Sequence, residues 1–198
     1  MHPETPFRIA FLVLTAAMVV VRLRAHHAAR VHEPGVKNPD EGRAVRMVRW
    51  LVLPTWMGIT AAWLIAPDTI TSFSLPYPAW LRWVGVGVNG LGLALLIWVH
   101  ETLGRFFSPF LRIRADHELI TEGPYQWVRH PMYTSFLLLL AGYALITANV
   151  LFTVALGVML FVVMIHRTPR EEAMLQERFG AAWDAYRART GALLPKLG

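Results

Sequence analysis

The chain has 198 residues, 55% of them apolar and 16% charged, with a formal net charge of +6 and no cysteine. That composition is too apolar for an ordinary soluble domain and fits one membrane-embedded folding unit, residues 1–198. The missing cysteine excludes disulfides, thiolate metal sites and a cysteine nucleophile, and the basic residues cluster beside apolar runs, where topology and anionic headgroups account for them without nucleic acid.

Phe7 to Val21 predicts the first spanning helix. Met1 to Pro6 is not basic and no small-x-small cleavage site precedes the arginines, so the run does not read as a signal peptide. Arg22 to Arg49 reads as a basic loop broken by Pro34-Gly35 and Asn38-Pro39. His26, His27, His32 and Glu33 invite a metal reading. Adjacent histidines diverge on a helix, however, and no second ligand group follows at metal spacing, so they read as a solvated face beside the membrane. Val48 to Ala66 is the second span, with Trp50, Trp56 and Trp63 along it and Pro54 as a kink site. Pro67 to Ala79, without Lys or Arg, predicts a turn on the opposite side. Within the third span, Trp80 to His100, Gly85-Val86-Gly87-Val88-Asn89-Gly90 matches a dinucleotide fingerprint, but it lacks the preceding strand and reads as helix packing. Asn89, an amide at membrane depth, calls for a partner on a neighbouring helix or in a polar cavity.

Glu101 to Asp116 sets Arg105, Arg112 and Arg114 among phenylalanines, as at a membrane interface. Thr134 to Thr147 and Val150 to Ile165 are shorter apolar helices separated only by Ala148-Asn149, which predicts an antiparallel helical hairpin. His166 to Gly198 reads as a largely amphipathic helix ending near Gly191, with Leu175, Phe179, Trp183 and Tyr186 on one face. The predicted fold is all-α and integral to the membrane, with five transmembrane helices. The loops richest in Lys and Arg fall on one side, placing the N-terminus outside and the C-terminus and the His117–Tyr133 connection in the cytoplasm.

That connection concentrates the polar chemistry: His117-x-Leu119-x-Thr121-x-Gly123-Pro124-Tyr125-x-x-x-Arg129-His130-Pro131-x-Tyr133. Glu171-Glu172-x-x-Leu175-x-x-x-Phe179-Gly180-x-x-Trp183-x-x-Tyr186 follows it. The two motifs, in this order, resemble the isoprenylcysteine carboxyl methyltransferase family and its phospholipid methyltransferase relatives, over roughly the C-terminal half. The resemblance implies S-adenosylmethionine as cofactor, held by a cytoplasmic loop and the tail in a core of about residues 100–190, and a lipophilic small molecule or lipid as acceptor, with no metal. It places His117, Glu118 and Leu119 at the adenine and ribose end and Gly123, Pro124 and Tyr125 as a close-fitting wall. Arg129, His130 and Tyr133 would face the methionine part, and Glu171 and Glu172 its amino group. Trp183 stands where relatives often have Tyr.

Arg129 or Arg170 would hold a carboxylate acceptor; an amine acceptor would need a base at His130, Glu171 or Glu172. Each residue also has a plainer reading: Gly123-Pro124 as a turn, Arg129-His130 as an interfacial anchor, Glu171-Glu172 as the acidic first turn of a helix, Arg170 as a headgroup contact. The function implied is carboxyl O-methylation of a prenylcysteine-like substrate. The alternatives are phospholipid N-methylation, an NADPH-dependent sterol or isoprenoid reductase sharing the Arg-His-Pro-x-Tyr element, and a non-enzymatic scaffold or transporter.

Overall fold

The computed structural model describes residues 4–32, 43–108 and 118–196. It comprises helices α1 (Thr5–His32), α2 (Arg43–Ile65), α3 (Ala79–Leu103), α4 (Pro131–Thr147), α5 (Val150–Phe179) and α6 (Ala181–Arg189), joined partly by short 3₁₀ turns. Among the described residues, β structure is limited to two isolated bridges, Ser74 with Asn149 and Val128 with Gly191. Four segments, Thr5–Ala29, Val45–Ile65, Ala79–Phe106 and Val150–Phe179, are long and apolar enough to cross a membrane; α4 is shorter, at 17 residues. The chain therefore has an all-α, multi-pass membrane fold.

Two predicted boundaries are corrected. The first helix does not stop at Val21 but continues to His32, because Arg22 to His32 contains good helix formers and no breaker before Pro34. Its 28 residues span about 42 Å, longer than an apolar slab of about 30 Å, so its basic end protrudes. The second correction concerns the tail. No separate amphipathic helix begins at His166; α5 carries on through Pro169 and the Glu171-Glu172 pair to Phe179. Gly180, at φ +49°, then breaks the helix and α6 starts afresh, so Leu175, Phe179, Trp183 and Tyr186 do not share one helical face. Trp183 and Tyr186 are buried, while Leu175 and Phe179 are only half-buried.

The tightest packing joins α3 to α4. A Cβ at Gly85 would lie 2.5 Å from the Leu145 Cβ, one at Gly92 2.9 Å from the Leu139 nitrogen, and one at Gly142 2.5 Å from the Asn89 Cβ. Small residues on both faces let the two backbones touch. Fully buried Asn89 donates from Nδ2 to the Leu139 carbonyl at 3.0 Å, which supplies the partner its depth requires. Gly87 and Gly90 face open space, so only the first glycine of the fingerprint-like stretch serves this contact.

The end of the bundle near the N-terminus is locked by Arg82, which is 6% exposed. Its guanidinium meets both oxygens of Glu4, at 2.6 and 2.8 Å, donates from Nε to the Ile146 carbonyl at 2.9 Å, and lies 3.9 Å over the Phe7 ring. Asn149 caps α5 by accepting from the Leu151 nitrogen and donates to the Ile70 carbonyl, tying the α2–α3 connection to the α4–α5 turn. Phe11, Trp63, Tyr143 and Phe152 fill the space beneath.

Gly142→Ala is expected to lower the thermal midpoint in detergent, at a cost of about 1–3 kcal/mol from overpacking, while Gly87→Ala leaves it unchanged or slightly higher. Equal midpoints would show that the α3–α4 approach does not govern stability. Arg82→Leu should lower the midpoint more than Glu4→Gln, because it also strips the Ile146 carbonyl of its donor.

Candidate active site

The turn at Gly123 sits against the C-terminal end of α3. Gly123 makes this possible with φ +53°: a Cβ there would fall 2.6 Å from the Thr102 Oγ1 and 3.3 Å from the Trp98 Nε1. Pro124 is buried just after it, and Trp127 meets Trp98 edge to face at 5.8 Å. The next three residues then pair with the C-terminal tail. Gly191 donates to the Trp127 carbonyl at 3.2 Å, Arg129 donates from its backbone to the Gly191 carbonyl at 2.8 Å, and His130 to the Ala192 carbonyl at 3.0 Å. Thr134 Oγ1 extends the seam to the Leu193 carbonyl, and Tyr186 donates its hydroxyl hydrogen to the Tyr125 carbonyl at 2.8 Å.

Held on this seam, two consecutive side chains converge on α5. Arg129 Nε donates to Glu172 Oε1 at 3.2 Å and His130 Nε2 to the same oxygen at 3.0 Å, so His130 carries its hydrogen on Nε2. Arg129 Nη1 also donates to the carbonyls of Arg187 and Thr190, so one guanidinium fastens the tail to the carboxylate. The His130 side chain is 2% exposed, Arg129 11% and Glu172 20%.

Glu172 lies beyond the apolar part of α5, which ends at Ile165. The hydrogen bond from His130, reinforced by Arg129 and opposed by burial, draws its carboxyl down to about 2. Folding is stabilised by this shift at pH values above the ordinary carboxylate range, and the contribution fades as pH falls through that range toward 2. Burial, with Glu171 nearby, pushes the Tyr125 phenol well above its ordinary value, and burial raises Tyr186 to about 12. Tyr186 thus stays a donor at any physiological pH.

The predicted residues divide clearly. Arg129, His130 and Glu172 come into direct contact, with the Tyr133 ring 5.8 Å from that of His130 and Glu171 within coulombic range of both Tyr125 and Tyr133. Gly123, Pro124 and Tyr125 form the fold over α3. Glu118 is exposed and faces exposed Arg105 at 3.9 Å, Leu119 is half-buried, and Arg170 is exposed without an ion pair among the described residues. His117 lies outside the described residues. Glu171-Glu172 is not the first turn of a helix, since α5 begins at Val150.

Thr134, Thr190 and Gly191 were not legible as parts of the site, because the tail enters mainly through backbone groups that leave no residue signature. Among the described residues, no three His, Asp or Glu side chains gather as a metal site.

Residues 80–182 match the family model described as phospholipid methyltransferase, and this stretch contains Arg129, His130 and Glu172. Protein-S-isoprenylcysteine O-methyltransferase B of Arabidopsis thaliana is 32% identical over 59% of this chain and 60% of its own length. A probable protein-S-isoprenylcysteine O-methyltransferase of Oryza sativa subsp. indica is 36% identical over 48% of this chain and 50% of its own. The chain thus spans less than two thirds of either relative. The fold is similar to the solved structure of the eukaryotic intramembrane Ras methyltransferase ICMT, with a TM-score of 0.65 and 21% identity, covering 98% of this chain and 68% of that one. With the family model matching more than half of its length, the chain belongs to the phospholipid methyltransferase family of integral-membrane proteins that includes the isoprenylcysteine methyltransferases.

Proposed function

We propose that the chain transfers the methyl group of S-adenosylmethionine to the carboxylate of a lipophilic, prenylcysteine-like acceptor. The observation that carries this reading is the asymmetry at Glu172. Arg129 and His130 both hold Oε1, so Oε2 has no partner among the described residues and is available to an ammonium group. Arg129 Nη2 is likewise unengaged among them and available to a carboxylate. A cation and an anion placed side by side fit the amino-acid end of the cofactor.

When bound, S-adenosylmethionine supplies an electrophilic methyl group on a sulfonium. The chain's own part is alignment and exclusion of water. Arg129, His130 and Glu172 orient the methionine end; Gly123, Pro124, Tyr125 and Leu119 wall the nucleoside end, together with His117 and Glu118 in our reading. The seam of Thr190 to Leu193 covers the site from the tail side. Tyr133 and Glu171 border the path toward the acceptor, and Arg170 meets lipid headgroups at the rim. A carboxylate acceptor needs no base, which suits a His130 already committed to Glu172. The second reading is N-methylation of a phospholipid amine, favoured by the description of the matched family; it would need Glu171 to take the proton, because Arg129 and His130 make Glu172 a weak base.

In our topology α4 is a fifth, short span of about 26 Å that forms a hairpin with α5. The N-terminus is outside and the site cytoplasmic, since Arg22, Arg24, Arg105, Arg167 and Arg170 share the end of the bundle that carries Glu172. Residues 1–198 act as one domain with its cofactor core at about 100–190.

Calorimetry on detergent-purified protein should give saturable binding of S-adenosylhomocysteine and none of NADPH. Glu172→Gln should weaken it by about tenfold or more. Binding of NADPH alone would replace the proposal with a reductase, and binding of neither would overturn it. Arg129→Ala should speed tryptic cleavage after Arg187 and Arg189, read by mass spectrometry, because the tail loses its side-chain anchor; an unchanged rate would mean that the backbone seam suffices.

A further inference from the structure

The tail that closes over Glu172 ends at the lipid-facing side of the bundle. Thr134 Oγ1 donates to the Leu193 carbonyl at 2.7 Å, and Thr134 heads a stripe of α4 that continues through Leu137 and Ala141, both exposed. In a membrane bundle, an exposed apolar stripe on a helix faces lipid. Leu194 therefore comes to the edge of that stripe, with 74% of its surface open.

The other side of the seam reaches the same depth. Gly92 of α3 lies against Ser135, Leu138 and Leu139 of α4, and Gly85 lies against Gly142 and Leu145, so the two helices run antiparallel. Trp98, about 9 Å along α3 from Gly92, is thus level with the first turn of α4. Trp127 meets Trp98 edge to face, and the two are 47% and 42% exposed. Two indoles and a leucine share the level at which α3 and α4 leave the apolar layer, where such side chains are favoured.

Charge beside them is of one sign. From Ala185 to Lys196 the tail holds Arg187, Arg189 and Lys196, all exposed, and no Asp or Glu. Lys196 Nζ donates to the Ala188 carbonyl at 2.7 Å, which folds it back against α6 so that the three cations gather around the tail's end. The nearest acid along the chain, Asp184, accepts from Gln176 of α5. An apolar tip flanked by cations suits an anionic bilayer, which takes the apolar groups into its interface and the cations onto its headgroups.

We propose that the end of the tail is a membrane latch whose partner is a bilayer surface of anionic phospholipid. Leu194 and Trp127 enter the interfacial layer at the foot of α4, Arg187, Arg189 and Lys196 meet the headgroups, and both contacts form only when the seam is closed. Because Gly191 pairs with the Trp127 carbonyl and the Arg129 nitrogen, the bilayer favours the arrangement in which Arg129 and His130 hold Glu172. The latch stands on the fold and the seam, whatever the seam encloses.

The absence of native cysteine lets a single label report the latch. Leu194→Cys carrying an environment-sensitive fluorophore, in nanodiscs of phosphatidylcholine and phosphatidylglycerol, should be quenched by a lipid bearing a nitroxide near the top of its acyl chain. The same label at Glu177→Cys, about 18 Å beyond Ile165 along α5, should not. Closure is read from the initial rate of tryptic cleavage after Arg189 relative to that after Arg178, a ratio that cancels recruitment of the protease to the bilayer. It should be lower by about fivefold or more in anionic than in neutral discs. Leu194→Asp, a change at a side chain with little packing to lose, should raise it about tenfold. A label that stays in water, or a ratio unmoved by Leu194→Asp, would overturn the latch. Equal ratios in neutral and anionic discs would overturn the headgroup contact. A label shielded from water but untouched by the lipid nitroxide would give the patch to a second copy of the chain and overturn the lipid.

Discussion

Everything in this bundle depends on how closely α3 and α4 approach. Gly85 and Gly92 on one helix and Gly142 on the other remove the side chains that would hold the backbones apart, and lipid gives no hydrophobic drive to bring helices together, so contact must come from shape and buried hydrogen bonds. Asn89 supplies the bond at the middle of the contact. Because α3 ends beneath Gly123 and α4 begins after His130, the same approach fixes where the Arg129-His130 pair emerges and which face of α5 it meets.

The two ends of the bundle treat charge differently. At one end the Arg82 guanidinium is closed off by Glu4, the Ile146 carbonyl and the Phe7 ring, so each of its nitrogens is answered within the chain. At the other, cations outnumber anions. Glu172 holds Arg129 and His130, while Arg22 lies within coulombic range of Arg167 and bonds His26.

The apolar runs announced the helices and their order, since membrane length and composition leave little else possible. Their polar ends were not so legible. Arg22 to His32 looked like a loop because its charge was read before its helix propensity, and the extension of α5 past Ile165 was hidden by Pro169, a breaker that this helix accommodates. Arg129, His130 and Glu172 stood out as members of two motifs, but their mutual contact could not be read from a separation of 42 or 43 residues. The tail was the least legible part. Gly180 resets the helix phase, so a pattern that looked like one face became two, and the seam at Gly191 is made of main-chain atoms that any sequence possesses.

That seam also sets an order of events during synthesis. Arg129 and the Thr190 carbonyl it holds are 61 residues apart, with α4, α5 and α6 between them. A nascent chain with α4 already inserted has Arg129 and His130 in place but neither Glu172 nor the tail to complete them. The pocket is therefore among the last features to form as the chain leaves the ribosome, and a chain stalled or cut before residue 190 would be a membrane protein with its helices inserted and its site unclosed.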